Sequence, residues 1–376
     1  MTALPETNLR LLTLVTPEGQ LELFFDRVAM PQPKPHEVLV KVLATPINPS
    51  DLGLLVGAAD MSTARSETRN GLPAVVADVP AAAMRAMQGR IGDALPIGNE
   101  GCGLVVQAGS SPEAQALLGK TVAMLGGEIY AEYRCLPVQM CMVLPDDVDP
   151  KDGASCFVNP LTSLAFTEVM RMEGHSAIVH TAAASNLGQM LVKICAKDEI
   201  PLVNIVRSDA QAKLLKDLGS QYVLNSQNDD FMEQLVEALT ETGATIGFDA
   251  IGGGKLSGQI LAAMEAAAVK RMTSYSRYGS DSFKQMYIYG GLDMGPTQLT
   301  RSFGFSWSLS GFLLTPFLQR AGAEVTGRMR QRVADELTTT FKSHYSNEIS
   351  LLDTLKLDVL QAYNAKRTGE KYLIRP

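Results

Sequence analysis

The feature that most constrains the fold is an alternation of strand-like and helix-like segments after residue 150. The buried apolar run S-A-I-V-H-T-A-A (176–183) precedes a segment at 186–197 whose apolar residues recur at helical spacing. The strand P-L-V-N-I-V-R (201–207) and a helix ending at Gly219 follow, and later the strand I-G-F-D-A-I (246–251). Alternation at this spacing predicts an α/β fold with a doubly wound parallel sheet.

Residues from about 8 to 150 show a second pattern, of short apolar runs separated by Pro, Gly and Asp. Runs such as E-V-L-V-K-V-L-A (37–44), L-V-V-Q-A-G (104–109) and T-V-A-M-L (121–125) predict β-strands. An alanine-rich stretch within 60–95 predicts a helical insertion, which is either a lid or a surface helix without function. A chain of 376 residues exceeds one usual core, so two domains are expected.

Composition excludes several classes of protein. The net charge of −7 argues against nonspecific nucleic-acid binding, which requires a basic surface. The N-terminus lacks a signal-peptide pattern, and no apolar stretch reaches the roughly 20 residues of a membrane helix. We therefore expect a cytoplasmic protein with no membrane segment. The 5 cysteines form no close-spaced pair, which argues against a disulfide framework and against cysteine-bound zinc.

The turn after the first strand of the alternating region, A-A-A-S-N-L-G (182–188), is a candidate nucleotide site. Only the last glycine of the G-x-G-x-x-G pattern is present, as Gly188, and it would allow the strand and helix to pack closely. Small residues let the backbone approach a pyrophosphate, and the helix N-terminus supplies free N–H groups. Ser185 adds a hydroxyl group. The alternative is a tight turn that binds no ligand.

The end of the second strand distinguishes between the two nicotinamide cofactors. NAD-binding enzymes place Asp or Glu there to bind the ribose hydroxyls, but this strand ends in Arg207, followed by Ser208. A guanidinium group can hold a 2′-phosphate, which a carboxylate would repel. We therefore predict that NADPH is the cofactor. The alternative is that Arg207 is an ordinary surface residue.

Several ordered motifs together resemble the medium-chain dehydrogenase/reductase superfamily, in its zinc-free branch of quinone oxidoreductases and 2-enoyl thioester reductases. The motifs are I-N-P-S-D-L (47–52), G-N-E-G-C-G-L-V-V-Q-A-G (98–109), V-N-P-L-T-S (158–163), A-A-A-S-N-L-G-Q (182–189), L-G-S-Q-Y-V-L-N (218–225), F-D-A-I-G-G (248–253), Y-I-Y-G-G-L (287–292) and S-G-F-L-L (310–314).

The resemblance implies a GroES-like catalytic β domain at 1–155, with 60–95 inserted, and a Rossmann NADPH-binding domain at 156–307. The segment 308–376 would return to the first domain. The cofactor would lie in the cleft between the domains, and two copies would form a homodimer through the edge of the Rossmann sheet.

The same resemblance bears on metal binding. Zinc-dependent relatives carry ligands where this chain has Asn48 and Asn99, and usually a further cysteine near Asn159. An amide is a poor zinc ligand, so no metal is expected. No histidine stands at a ligand position; His180 is expected to pack or to form a hydrogen bond. Glu100 is expected to form hydrogen bonds within the β domain.

The chemistry that remains is hydride transfer to an acceptor that is already polarised. Without a Lewis acid nothing stabilises an alkoxide, but a quinone or an enone spreads the added negative charge over an enolate. The resemblance places Asn48 and Thr162 beside the nicotinamide as candidate catalytic residues. It assigns cofactor contacts to Ser185, Asn186, Leu187, Gly188, Arg207, Ser208, Asn225, Ile251, Gly252, Tyr289, Gly290, Leu292, Phe312, Leu313 and Lys371.

One position departs from the family pattern. Enoyl thioester reductases carry a proposed proton-donating tyrosine where this chain has Ala59. The replacement donor could come from the 60–95 segment, from solvent, or from Tyr275, Tyr278 or Tyr287. Ala59 favours an NADPH-dependent quinone or enone reductase, with a 2-enoyl-CoA or thioester reductase as the alternative. A third reading is an NADPH-binding sensor or structural homologue without turnover.

Overall fold

The computed structural model describes residues 4–367 and 369–376. The chain divides into two compact units, Met1–Val158 with Val333–Pro376 and Asn159–Arg332, which we call the β unit and the α/β unit. Within the described residues, no helix is both long enough and apolar enough to cross a membrane.

The first part of the β unit consists of strands joined by loops and short helices. Its strands are β1 (Thr7–Val15), β2 (Gln20–Ala29), β3 (Glu37–Pro46), β4 (Asp60–Arg69), β5 (Leu72–Asp78), β6 (Leu95–Pro96), β7 (Glu100–Ala108), β8 (Thr121–Leu125), β9 (Tyr133–Pro137) and β10 (Cys141–Val143). Its helices are α1 (Pro49–Leu55), α2 (Ala81–Met84), α3 (Pro112–Gln115) and α4 (Pro150–Gly153), with 3₁₀ turns at Gln88–Arg90 and Val138–Met140.

The α/β unit alternates helices and strands, as the sequence pattern predicts. Its helices are α5 (Val158–Met172), α6 (Asn186–Lys197), α7 (Asp209–Asp217), α8 (Phe231–Thr242), α9 (Leu256–Lys270) and α10 (Leu314–Asp335). Its strands are β11 (Ile178–His180), β12 (Leu202–Val206), β13 (Tyr222–Asn225), β14 (Ile246–Asp249), β15 (Gly252–Gly254), β16 (Lys284–Ile288), β17 (Asp293–Thr297) and β18 (Trp307–Gly311). Helix α10 is interrupted at Gly322, where φ is 83°.

The main sheet of the α/β unit has the strand order β13-β12-β11-β14-β16-β18, and every pair in it is parallel. This is the doubly wound Rossmann order, and ligands bind to such sheets at the carboxyl ends of the strands. Apolar side chains from strands and helices form one core, which includes Val179, Val203, Leu235, Ile260 and Met286. The predicted fold class is confirmed for this unit.

The chain then returns to the β unit through β19 (Asn347–Ser350), a 3₁₀ turn at Leu352–Leu355, α11 (Leu357–Asn364) and β20 (Tyr372–Arg375). Strand β20 pairs with β3, which completes a sheet in the order β10-β8-β7-β3-β20-β19, with β9 also on β3. A second sheet has the order β4-β5-β2-β1-β6. The two compact units divide after Arg332, later than the predicted boundary at 308, because β18 and α10 follow directly in the α/β unit.

The prediction of a helix in the alanine-rich stretch within 60–95 is wrong in extent, because this stretch contains only the single turn α2 and the 3₁₀ turn at Gln88–Arg90. Strands β4 and β5 form an antiparallel hairpin, and α2 covers only one turn. The two loop residues, Asn70 and Gly71, have φ values of 53° and 77°, which suit the type I′ turn that Asn-Gly favours. The alanine content obscured this turn signal, and the segment extends the edge of a sheet instead.

Candidate functional site

The turn that follows β11 has the form expected of a phosphate-binding site. Ser185 caps α6, and its hydroxyl accepts a hydrogen bond of 3.1 Å from the Gly188 N–H. A Cβ atom at Gly188 would overlap the Ala183 carbonyl oxygen, so the close approach of strand and helix requires glycine, as predicted. Asn186 and Leu187 begin the helix. The N-terminus of this 12-residue helix can attract an anion through the helix dipole.

The end of β12 presents an exposed arginine. Arg207 directly follows the strand, and its backbone N–H donates to Gln211 Oε1 at 3.1 Å. Ser208 caps α7 by accepting from the Gln211 N–H. At the end of the next strand, Asn225 is buried and donates to Asp209 Oδ1 at 2.9 Å. Arg207 and Ser208 thus lie at the carboxyl edge of the sheet.

A buried carboxylate that the sequence analysis did not assign organises the end of β14. Asp249 accepts hydrogen bonds of 2.6 Å from both the Thr181 and the Ser257 hydroxyls. It also accepts from the backbone N–H groups of Ile251, at 2.9 Å, and Gly252, at 3.4 Å. Asp249 therefore holds the two predicted cofactor residues Ile251 and Gly252 in place. The aspartate of the F-D-A-I-G-G motif, directly after an apolar strand, was the available signal.

Tyr289 has its hydroxyl bound inside the α/β unit. It lies 2.8 Å from His180 Nε2, which confirms the hydrogen-bonding role expected for His180. Burial lowers the pKa of His180 to about 3, so its ring is neutral at physiological pH. Phe166 packs against both rings, and Phe312 packs against Phe166.

The remaining predicted residues of this unit differ in exposure. Thr162 is buried near the start of α5. The Gly290 backbone passes so close to Ala250 that a Cβ atom would lie 2.5 Å from the Ala250 carbonyl oxygen. The side chains of Leu292 and Leu313 are exposed, at 45% and 68%.

In the β unit, the Asn48 side chain joins Glu100. Asn48 is 1% exposed, and its Nδ2 donates to Glu100 Oε1 at 2.8 Å. Glu100 Oε2 accepts from the backbone N–H groups of Phe157 and Val158, both at 2.9 Å. Burial raises the pKa of Glu100, and the attraction of Lys371 opposes this effect. The structural role predicted for Glu100 is confirmed.

Asp51 lies near Asn48 and Glu100, and its carboxylate binds the backbone N–H groups of two residues, Asn48 and Asn99. Its carboxylate accepts from the Asn48 N–H at 2.8 Å and from the Asn99 N–H at 2.9 Å. Burial is the main reason that the pKa of Asp51 rises to about 7. The Asn99 side chain donates to Ser50. In the part of the chain that the structure describes, no group of three or more His, Cys, Asp or Glu side chains could hold a metal ion.

Lys371 is buried in the β unit and takes part in a hydrogen-bonded chain that the sequence analysis missed. Its Nζ donates to Ser155 Oγ at 3.0 Å, and Ser155 Oγ lies 2.8 Å from the Tyr345 hydroxyl. Burial lowers the pKa of Lys371 to about 8, although Glu100 and Asp51 raise it.

The three tyrosines considered as proton donors have other surroundings. Tyr275 and Tyr278 are 92% and 58% exposed. The Tyr287 hydroxyl donates to the Glu173 carboxylate at 2.9 Å. Ala59 packs against the core of the β unit. Tyr345, in contrast, is linked to a lysine, because its hydroxyl lies 2.8 Å from Ser155 Oγ, which accepts from Lys371.

Comparison with known proteins places these features in context. No family model matches the chain. The chain is 25% identical over 224 residues to prostaglandin reductase-3 of Mus musculus, covering 60% of this chain and 57% of that protein. It is 26% identical over 197 residues to the mitochondrial enoyl-(acyl-carrier-protein) reductase of Mus musculus, covering 51% of this chain and 45% of that protein. The chain thus matches about half the length of these curated relatives.

A solved structure matches over the full length of both chains. The crystal structure of a candidate NADPH:quinone reductase from Mesorhizobium loti is 27% identical, with a TM-score of 0.74 and 100% of each chain covered.

Proposed function

We propose that the chain is an NADPH-dependent reductase of the medium-chain dehydrogenase/reductase type, which transfers hydride to a quinone or to an activated alkene such as an enone. The observation that carries this proposal is the pair of features at the carboxyl edge of the parallel sheet. These are the Ser185-capped N-terminus of α6 and the exposed Arg207 after β12. A helix N-terminus suits a pyrophosphate, and a guanidinium group suits a 2′-phosphate.

The residues of the α/β unit fit a bound dinucleotide. Gly188 and Ala183 are small enough for the backbone to approach a phosphate, and Ser185 can offer its hydroxyl proton while it accepts from Gly188. Asp249 fixes the N–H groups of Ile251 and Gly252, so this loop keeps one conformation. When bound, NADPH supplies the hydride, and the protein supplies orientation and electrostatics.

The acceptor side of the reaction is assigned to the β unit. Asn48 and Asn99 occupy positions where zinc-dependent relatives carry ligands, and amides bind zinc poorly, so the proposed reaction is independent of zinc. A quinone or an enone needs no Lewis acid, because the added charge spreads onto its oxygen. The likeness to the candidate quinone reductase supports this substrate class.

A 2-enoyl thioester reductase is the second candidate function. The likeness to the mitochondrial enoyl-(acyl-carrier-protein) reductase favours it. Ala59 weighs against it, because a methyl group cannot donate a proton where the thioester reductases carry a tyrosine.

The decisive experiment follows NADPH absorbance with four acceptors: p-benzoquinone, phenanthrenequinone, a simple enone and crotonyl-CoA. We expect oxidation with the quinones or the enone. Turnover of crotonyl-CoA alone would establish the second candidate. Tight NADPH binding without oxidation of any acceptor would identify a non-catalytic sensor.

The quaternary structure proposed is a homodimer. Strand β18 forms one edge of the parallel sheet among the described residues, and an unpaired edge can pair with a second copy. Light scattering coupled to size-exclusion chromatography tests this, and a monomer at micromolar concentration would contradict it.

A further inference from the structure

The Asn48 side chain has an unpaired oxygen in a buried position. The residue is 1% exposed, its nitrogen is bound to Glu100, and its Oδ1 faces the Asp51 N–H in the first turn of α1 but accepts no hydrogen bond from the residues that the structure describes. A buried acceptor without a partner costs about 1–3 kcal/mol, so native proteins rarely keep one without a reason. A ligand N–H or O–H group placed there would satisfy it.

Glu100 determines which way the Asn48 amide points. Glu100 Oε2 accepts from two backbone N–H groups, those of Phe157 and Val158, so this atom must act as an acceptor. The other oxygen, Oε1, faces Asn48. An ionised carboxylate has only acceptors, so Asn48 must turn its NH₂ group to Glu100 and its oxygen away. A proton on Oε1 would favour the opposite orientation.

Lys371 favours the ionised form of Glu100. Burial raises the pKa of Glu100, and the positive charge of Lys371 lowers it. Lys371 is held by Ser155, which in turn bonds to Tyr345, and its Nζ lies 5.5 Å from the centre of the Tyr345 ring. Among the described residues, Asp51, Tyr130, Cys156 and Tyr345 also interact electrostatically with Glu100, and Asp51 also does so with Lys371.

We propose that Lys371, positioned by Ser155 and Tyr345, acts through Glu100 to hold the Asn48 amide with its nitrogen bound and its oxygen presented to a hydrogen-bond donor of the ligand. The inference rests on the proposed function, in which the donor belongs either to the carboxamide of NADPH or to the hydroxyl of the reduced acceptor. Ser155, Tyr345, Lys371 and Glu100 are positioning residues, because they act on the ligand through Asn48; for Lys371 this role replaces the direct cofactor contact that the family resemblance implies.

The substitution Glu100→Gln reverses the amide. The glutamine oxygen must replace Oε2 to accept from Phe157 and Val158, so its NH₂ group faces Asn48. Asn48 must then turn its oxygen inward and its nitrogen outward. We expect the Asn48 side-chain N–H resonance, assigned by comparison with Asn48→Asp, to lose the downfield shift of an N–H bound to a carboxylate. The buried Asn8 amide, which bonds Tyr133 through both atoms, is the internal control and should not change.

Lysine substitutions test the electrostatic link without changing Glu100. In Lys371→Met, the pH at which the Asn48 resonance changes should rise by about 1 unit or more, because an opposite charge no longer lowers the pKa of Glu100. Lys371→Arg should restore much of the original value. Tyr345→Phe should raise this pH by a smaller amount. If Lys371 and Tyr345 had a purely structural role, the pH at which the Asn48 resonance changes would stay the same. An unchanged Asn48 resonance in both Glu100→Gln and Lys371→Met would overturn the proposal.

Two ligand measurements on Glu100→Gln identify the donor. A roughly tenfold weaker NADPH affinity, measured by fluorescence without an acceptor, would assign the Asn48 oxygen to the cofactor. A similar loss confined to inhibition by p-benzohydroquinone would assign it to the product, and no loss in either would overturn ligand recognition by Asn48. The resonance measurements need no turnover, so they can succeed even if NADPH oxidation, the test of the proposed function, fails.

Discussion

Asp249 binds the Thr181 hydroxyl at 2.6 Å, although 68 residues separate them along the chain. The same carboxylate binds the hydroxyl of Ser257 and the N–H of Ile251. One buried group therefore joins the ends of β11 and β14 to the start of α9. These three segments lie at the edge of the sheet where we place the cofactor.

Removing this carboxylate should affect both stability and cofactor binding. We expect Asp249→Ala to lower the free energy of unfolding by about 3 kcal/mol, because several buried donors lose their acceptor. Urea denaturation and NADPH titration measure the two effects. Asp217→Ala, which removes an exposed ion pair with Lys213, is the control and should cost less than about 1 kcal/mol. Equal losses in the two variants would contradict the assigned role.

Arg207 should set the preference for NADPH. We expect Arg207→Glu to weaken NADPH binding by about 10-fold or more, because the carboxylate repels the 2′-phosphate that the guanidinium attracts. NADH affinity should change much less. The control is Lys213→Glu, a charge reversal at an exposed position of α7. If the unmutated protein binds NADH as tightly as NADPH, Arg207 does not bind the 2′-phosphate.

Two glycine substitutions should act in opposite directions. Gly188→Ala should destabilise the protein by about 2 kcal/mol or more, because its methyl group would overlap the Ala183 carbonyl oxygen. Gly327→Ala, in α10 with no atom near the new methyl group, should stabilise it by about 0.5–1 kcal/mol. Thermal unfolding measures both. A stable Gly188→Ala variant would show that α6 can move away from the turn.

His180 should make stability depend on pH in the acidic range. Its pKa is about 3 in the folded protein but about 6.5 in an unfolded chain, so the unfolded state takes up a proton first. The neutral ring contributes its full share of the stability above about pH 6.5. As the pH falls to 5, the free energy of unfolding decreases by about 2 kcal/mol.

The comparison of unmutated protein with His180→Gln tests this effect. The variant should lose less stability between pH 7 and pH 5 in denaturant titrations. The exposed His344→Gln serves as the control and should follow the unmutated protein. Parallel curves for the unmutated protein and His180→Gln would contradict a buried neutral imidazole.

Local patterns in the sequence were sufficient to predict the α/β unit and the turn where we propose that the nucleotide binds. Each relevant feature involves only neighbouring residues and is visible in the sequence. These features are the strand and helix periodicity, the small residues before Gly188, and Arg207 at the end of a strand. Asn70-Gly71 was also a local signal for the β4–β5 hairpin. The alanine-rich sequence that follows it favoured the prediction of a helix instead.

Contacts between distant segments were decided only by the tertiary structure. The resemblance to the family predicted that Asn48 and Lys371 belong to the site. It did not predict which residues each of them contacts. Glu100 meets the N–H of Phe157 57 residues away, and Lys371 meets Ser155 216 residues away. The sequence was enough to predict residues for NADPH binding, because turn geometry and charge are local properties. Folding alone decided which polar groups share a buried environment, and so which atom of Asn48 is left to face a ligand.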